Sequence, residues 1–437
     1  MAKLNYICNK RDYAMPNTER ETLLLKSIHL KGFKSIEDLS VDVKPGLNIL
    51  IGKNGSGKSN FLEFLEGAIG RGHKLNYTFA SLDYFSKTKN FQLSFEKEKA
   101  QKNFKNKLDA GIDNEYLTKV DVEGKNLFNS KAYVSGQDQE AFKLFQKFAA
   151  EVTGITHAEK SPNGFRYLQR ILKPLIIKFN IPETIGFVST PGVLTVPYDG
   201  AWSWTDTLDF IDDIVWDLEF LEDGIDFNSD NTKQGIITDF KFSEEIIDNL
   251  KLFTPIKNLR LNDGFSVYDA DKNFIVDNLR LDFLINDTWV PWSYLSDGTK
   301  RLFYIVTEIT FKKDGLILIE EPELGIHPHQ FHLLMNFLKE QSSDKQIIIS
   351  THSPKALDIL NPDELDHIMI ATYDVERGTQ INGMTENQKI KAKDYMSEVG
   401  FLSDYWLMSD LEEYTVSRSP DYQISQLPTA KFDDLFL

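Results

Sequence analysis

The 437-residue sequence has a single cysteine, Cys8. An internal disulfide framework is therefore excluded, and a reducing compartment is expected. No apolar run approaches the roughly 20 residues that a membrane-spanning helix needs. The opening stretch, MAKLNYICNKRDYAMPNTER, lacks an apolar core of signal-peptide length. Together these absences predict a cytoplasmic protein with no membrane contact. Internal repeats and low-complexity segments are also missing. No heptad pattern persists over several turns, so no long coiled coil is expected. Basic residues are outnumbered, with 49 Lys and Arg against 66 Asp and Glu, a net charge of −17. That balance disfavours wholesale attraction to DNA but is compatible with a local basic groove.

What is present supports a large core. Hydrophobic residues make up 41% of the chain, and the length suggests about two to four domains or one core with a large insertion. Residues 22–51 alternate like an antiparallel strand pair, with a turn at Pro45-Gly46. Helical spacing follows to about Gly70, then half-exposed strands in KNFQLSFEKEK and LTKVDVEGKNLF, then helical spacing from 137 to 180. Short strands return over 257–294, and the order after that reads helix, buried strand, helix, buried strand, helix. Two charged stretches stand out. Residues 87–107 are rich in lysine, which suits either a phosphate-backbone contact or a solvated face. Residues 206–230 hold ten acids and no Lys or Arg, which suits either docking of a basic partner or an ordinary acidic amphipathic helix.

The stretch NILIGKNGSGKSNFLEFL carries the strongest signal. A short apolar strand runs into Gly52-x-x-x-x-Gly57-Lys58-Ser59 and then into a helix. Such a turn aims backbone N–H groups and a helix N-terminus at one point, where they hold phosphates. Asn54, Gly55, Ser56, Gly57, Lys58, Ser59 and Asn60 form the expected nucleotide-binding loop. Glycine allows close backbone approach, Lys58 reaches the β- and γ-phosphates, and Ser59 ligates Mg²⁺. Downstream, LSDGTKRLFYIVTEI begins at Leu295 with a Ser and Gly turn, a second anion-binding helix start with Ser296 and the Gly298 amide as donors. About twenty residues on, GLILIEEPELGIHP reads as a buried strand ending in Glu320-Glu321. Open α/β sheets bind ligands at that edge. There one carboxylate can hold Mg²⁺ and the next can activate water; the bland alternative is a solvated acidic turn. KQIIISTHSP is a further buried strand, ending in His352, a residue type that is more often structural but here lies beside the expected γ-phosphate.

This ordered set resembles the ABC-class ATPase heads of the SMC, RecF and OLD-like group. The stretches GFKSIEDLSVDVKPGLNILIGKNGSGKSN, LSDGTKR, LILIEEPELGIHP and STHSP look especially like the AAA15 ATPases of bacterial defence systems, which include those of PARIS, Septu and retron-linked operons. EVGFLSDYWLMSDLEE, at 398–413, looks like their C-terminal region. The resemblance covers 22–70 and 290–360 well and the middle poorly. It implies an α/β fold: a P-loop ABC-type head with a mixed sheet, an antiparallel β subdomain and a helical insertion. The implied boundaries are 22–74 for the N-terminal ATPase lobe, 75–290 for the β subdomain and mostly helical insertion, 291–375 for the C-terminal lobe and 376–437 for a helical tail.

By the same resemblance, Lys58 and Ser59 hold ATP and Mg²⁺, Glu320 is the Walker B metal ligand, and Glu321 is the general base. Ser296, Asp297 and Gly298 form a signature that acts on a facing copy, and His352 is the switch histidine. Lys34, in GFKS, is placed near the base or phosphates, and Gln137 is the candidate Q-loop residue. The pattern departs from the family in two places. Glu320 stands where Asp is usual, one methylene longer, and Asp297 stands at the second signature glycine. The implied function is a nucleotide-gated sensor and scaffold in an anti-phage system. It would form at least a dimer and control a separate nuclease or toxin, with DNA or a phage protein as trigger. About 80 residues follow His352, short for a fused nuclease domain of the TOPRIM type. A RecF-like DNA-repair ATPase is the alternative, and a non-hydrolysing structural module is a third reading.

Overall fold

The computed structural model describes residues 23–68, 75–86, 89–97, 116–130, 139–153, 164–178, 192–197, 243–270, 273–312 and 315–409. A twelve-stranded mixed sheet organises them, in the order β7-β6-β5-β4-β1-β2-β18-β17-β3-β16-β15-β8. Its centre is parallel: β17 (Ile368–Asp374), β3 (Leu47–Ile51), β16 (Gln346–Thr351), β15 (Leu316–Glu320) and β8 (Leu175–Ile177). The sequences LNILI and QIIIST are buried at every position, the pattern of strands covered on both faces. The antiparallel wing comprises β1 (Leu24–Phe33), β2 (Ile36–Asp42), β4 (Phe79–Phe85), β5 (Asn90–Lys97), β6 (Tyr116–Val122) and β7 (Lys125–Asn129). There burial alternates, most regularly along β6, because side chains point to opposite faces in turn.

Each face of the parallel centre has its own core. Leu50, Leu318 and Ile348 face α1 (Lys58–Ala68), whose Phe61, Leu62, Phe64 and Leu65 are buried. The same core extends to α2 (Gln139–Thr153) and α3 (Gly164–Leu172) through Phe145, Phe148 and Phe165. Ile49, Ile319 and Ile349 face the other way, onto α4 (Glu244–Phe253), α5 (Asp297–Phe311) and α6 (Pro328–Gln341). Two three-stranded sheets complete the middle region: β10 (Asn258–Leu261) with β13 (Leu281–Ile285) and β14 (Thr288–Pro291), and β11 (Ser266–Ala270) with β12 (Asn273–Leu279) and β9 (Gly192–Pro197). Phe283 of β13 packs 5.2 Å from Phe303 of α5 and 5.8 Å from Trp292. This anchors the chain just before Ser296. The hairpin of β17 and β18 (Gly378–Asn382) leads to α7 (Glu386–Glu398) and α8 (Leu402–Met408).

The sheet refines three expectations. The pairing expected across Pro45-Gly46 is not made. β1 and β2 pair instead around Gly32 and Lys34, both at positive φ, and β3 leaves for the parallel centre between β16 and β17. Strand β8 ends the stretch expected to be helical to 180. The β17–β18 hairpin follows β16 where a helix was expected, and it continues the sheet across residue 375. No described helix is longer than 15 residues, so the described residues hold no long coiled coil. None of them is long and apolar enough to cross a membrane.

Candidate nucleotide site

Strand register assembles the site. Ile51 pairs with Thr351 and Glu320 with Ser350, so Gly52, Glu321 and His352 all emerge at the carboxyl edge of adjacent parallel strands. The loop after β3 is shaped from both sides. A Cβ on Gly52 would lie 2.2 Å from the Ala371 carbonyl, and one on Gly57, at φ +96°, would lie 2.0 Å from Thr379 Oγ1. Gly55, at φ +79°, has open space where its Cβ would be, so its left-handed backbone rather than packing calls for glycine. Thr379 is itself fixed: its N–H donates to the Ser35 carbonyl at 2.7 Å, and its Oγ1 lies 2.7 Å from Ser35 Oγ. Asn60 Nδ2 donates to the same Ser35 Oγ at 2.7 Å.

Lys58 opens α1 and is buried, yet its ammonium is held in place. It donates to the carbonyls of Gly52 at 2.7 Å and Lys53 at 3.1 Å, and to His352 Nδ1 at 3.2 Å. An ammonium has donors only, so Nδ1 accepts and the ring carries its proton on Nε2. Nε2 in turn lies 3.0 Å from Glu321 Oε1. Lys58, His352 and Glu321 thus form a continuous hydrogen-bonded chain. Ser56 Oγ is buried without a hydrogen-bond partner among the described residues, while Ser59 is exposed. A loop with an open Gly55, a buried unsatisfied hydroxyl, a fixed ammonium and a helix N-terminus fits a polyphosphate.

Sequence reading passed over two supports, Arg301, which is buried, and Glu323, which is half-buried. Arg301 on α5 donates from Nη2 to the carbonyls of Glu320 at 2.9 Å and Glu321 at 2.7 Å. Burial pulls its guanidinium below the ordinary value, while the nearby carboxylates of Glu323, Glu321 and Glu320 oppose that shift. Glu323 Oε1 accepts from Thr351 Oγ1 at 2.7 Å and from the His352 amide at 2.9 Å. Glu321 sits at φ +47°, and its N–H donates to the Ser350 carbonyl at 2.8 Å. Both Arg301 and Glu323 lie inside quoted motifs, LSDGTKR and EEPELG, but only the fold shows what they grip.

Other expected site residues fall as follows. Ser296 is the N-cap of α5, accepting from the Thr299 amide at 3.2 Å; its oxygen is engaged within its own helix as an acceptor. The Asp297 side chain is 98% exposed, so the carboxylate at the second signature position points to solvent. A Cβ on Gly298 would lie 2.6 Å from the Gly325 carbonyl, which seats the start of α5 on the loop after Glu321. Lys34 pairs with Glu63 on α1, along the flank of that helix. Gln137, the acidic stretch 206–230 and most of the lysine-rich stretch lie outside the described residues.

Two family profiles match in succession. Residues 24–184 match "AAA ATPase domain", and residues 198–358 match "AAA domain, putative AbiEii toxin, Type IV TA system". Septu protein PtuA of Bacillus thuringiensis is 24% identical over 354 residues, covering 76% of this chain and 72% of that protein. DNA replication and repair protein RecF of Lactococcus lactis subsp. cremoris is 44% identical over 54 residues, only 12% of this chain and 15% of RecF. Among solved structures, the SMC head domain from Thermotoga maritima aligns at a TM-score of 0.40 and 12% identity, over 83% of this chain and 99% of that domain. Two segments that each match an AAA-type ATPase domain thus meet on one sheet, with Walker A, signature, Walker B and histidine motifs in order, and the chain is similar to ATPases of the AAA15 kind.

Proposed function

We propose that this chain is a Mg²⁺-dependent ATPase that closes on ATP as at least a dimer and serves as the nucleotide-gated sensor and scaffold of an anti-phage defence system. The observation that carries the catalytic part is the Lys58–His352–Glu321 chain at one sheet edge. Lys58 meets the β- and γ-phosphates from the position its loop carbonyls already hold. The first-turn amides of α1 and the Ser56 hydroxyl take phosphate oxygens. Mg²⁺, when bound, supplies positive charge at those oxygens, and Ser59 and Glu320 are the residues that would hold it. Glu321 takes the proton of the attacking water, and His352 orients that carboxylate through Nε2–H while reporting the Lys58 position on its other nitrogen. Ser296 and Gly298 complete the site of a facing copy, with Asp297 lowering the affinity of that composite site.

The defence reading is supported by the likeness to PtuA along most of both chains, set against RecF matches confined to a short segment. On this reading the effector is a separately encoded nuclease or toxin, and the trigger is DNA or a phage protein. A tagged Glu321→Gln variant, captured with ATP from cells expressing the native operon, tests it by mass spectrometry. A stoichiometric nuclease-like or toxin-like partner supports the scaffold. Recovery of DNA and repair proteins, lost after nuclease treatment or at high salt, moves the conclusion to a RecF-like repair ATPase.

A further inference from the structure

Sheet order gives the phosphate loop a direction. Glu321 and His352 follow β15 and β16, on one side of β3, so the terminal phosphate they serve lies on that side. The nucleoside end of a bound nucleotide then leaves the loop on the other side of β3, over β17 and β18. That hairpin is built against the loop. The Ala371 carbonyl limits Gly52, Thr379 Oγ1 limits Gly57, and a Cβ on Gly378 would lie 2.2 Å from the Ser35 carbonyl. Asn60, in the first turn of α1, reaches the same group through Ser35 Oγ.

Tyr373 stands in this hairpin directly opposite Thr379 and two residues beyond Ala371. Opposed residues of an antiparallel pair share a face, as do residues i and i+2 of one strand. Tyr373 therefore lies on the face of Ala371 and Ile381, which pack into the core shared with α1. Residues 368–371 of the same strand are buried, yet the Tyr373 side chain is 55% exposed. The turn beside it is fixed, because Asp374 Oδ1 accepts from the N–H of Glu376 at 2.9 Å and of Arg377 at 2.8 Å. An aromatic ring left open on a rigid support, beside the nucleoside end of a phosphate site, is a stacking surface.

We infer that Tyr373 is the platform for the base of the bound nucleotide, and that the site selects purine nucleoside triphosphates by stacking on it. Every base has a π-face, and a two-ring purine covers more of the phenol ring than a one-ring pyrimidine. Tyr373 sets affinity and the preference among bases and takes no part in the chemistry at the γ-phosphate. This rests on the nucleotide reading above and names the class of base that the site accepts.

The test titrates full-length wild type, Tyr373→Ala and Tyr373→Phe with three probes in the presence of Mg²⁺: the non-hydrolysable β,γ-imido analogue of ATP, its cytidine counterpart, and inorganic tripolyphosphate. Tyr373→Ala is expected to bind the adenosine analogue about tenfold more weakly, the scale of one lost stacking contact. Tripolyphosphate has no base and should bind within about twofold of wild type. The preference for adenosine over cytidine should narrow by about threefold or more, since the larger ring loses more contact. Tyr373→Phe keeps the ring and should bind the adenosine analogue within about threefold of wild type. Equal losses for the adenosine analogue and tripolyphosphate would trace the effect to a disturbed phosphate loop and overturn the platform. An affinity of Tyr373→Ala for the adenosine analogue within about twofold of wild type overturns it as well. Should Tyr373→Ala fail to fold, Tyr373→Leu, which keeps apolar bulk without a π-face, is held to the same outcomes. A wild type that binds none of the three probes overturns the nucleotide reading itself. A wild type that binds tripolyphosphate as tightly as both analogues keeps the phosphate site and removes the base platform.

Discussion

Lys58 illustrates what a residue gains from its surroundings. Its ammonium is already coordinated by two loop carbonyls and by His352, so little side-chain entropy remains to be lost when phosphate arrives. Lys58→Ala is expected to weaken ATP binding by about 100-fold or more, since charge-assisted hydrogen bonds to phosphate are each among the strong ones; a fluorescent-nucleotide titration with normal affinity would remove the Walker A assignment. Glu321→Gln should leave binding intact and cut hydrolysis by about 10²–10⁴-fold, the usual contribution of a general base, read by phosphate release. Near wild-type turnover would move that role to another residue. Gly57→Ala is expected to cost stability rather than affinity, because φ +96° disfavours any Cβ and Thr379 fills its space. A loss of about 1–3 kcal/mol is expected from strain and overpacking, read by urea unfolding. The sequence showed that glycine was required here, but it suggested phosphate access as the cause. At Gly52 and Gly57 the cause is the protein's own β17–β18 hairpin.

At the scale of elements, α5 carries two roles on one residue. Ser296 is its N-cap and also the proposed contact to a facing nucleotide. Ser296→Ala loses the cap and is expected to lower stability by about 1 kcal/mol. Ser296→Asp keeps a capping oxygen but adds charge, so it should retain stability while losing ATP turnover. Equal turnover in wild type and Ser296→Asp would leave the residue with its capping role alone. Helix α7 is held by its capping box at Thr385 and by Lys389, which pairs with Asp366. The hydrogen bond from Lys389 holds the Asp366 carboxyl below the usual range. A carboxyl depressed on folding adds stability above its unfolded pKa of about 4 and loses it as pH falls through the lower folded value. The melting temperature of Asp366→Asn should therefore fall slightly below wild type at pH 7, the pair being exposed, and the difference should shrink as pH falls below about 4. The hydrophobic runs of β3, β15 and β16 made these strands legible. The β17–β18 hairpin was not legible, because its meaning lies in Ser35 and Gly57, more than 300 residues earlier.

Across the whole molecule, nucleotide and assembly are proposed to be linked. Glu321→Gln should shift from monomer to dimer mass on light scattering when ATP and Mg²⁺ are added, and return when Mg²⁺ is chelated. A constant mass would leave the signature without a partner site. The parallel centre and its two cores provide a rigid frame for that change, with α1 on one face and α4, α5 and α6 on the other. At the carboxyl edge of that frame, Arg301 and Glu323 hold the ends of β15 and β16.

The sequence alone determined the motifs, because their chemistry is local. A phosphate loop needs glycines and a lysine within eight residues, and a buried parallel strand needs a continuous apolar run. Those constraints are written in contiguous letters and identified Lys58, Glu321 and His352. Only tertiary structure decided how these residues meet, which strand neighbours β3, and that Arg301, Glu323 and Thr379 hold the site. Their partners are set by sheet order and register, which bring distant segments within hydrogen-bond range and leave no periodic trace along the chain.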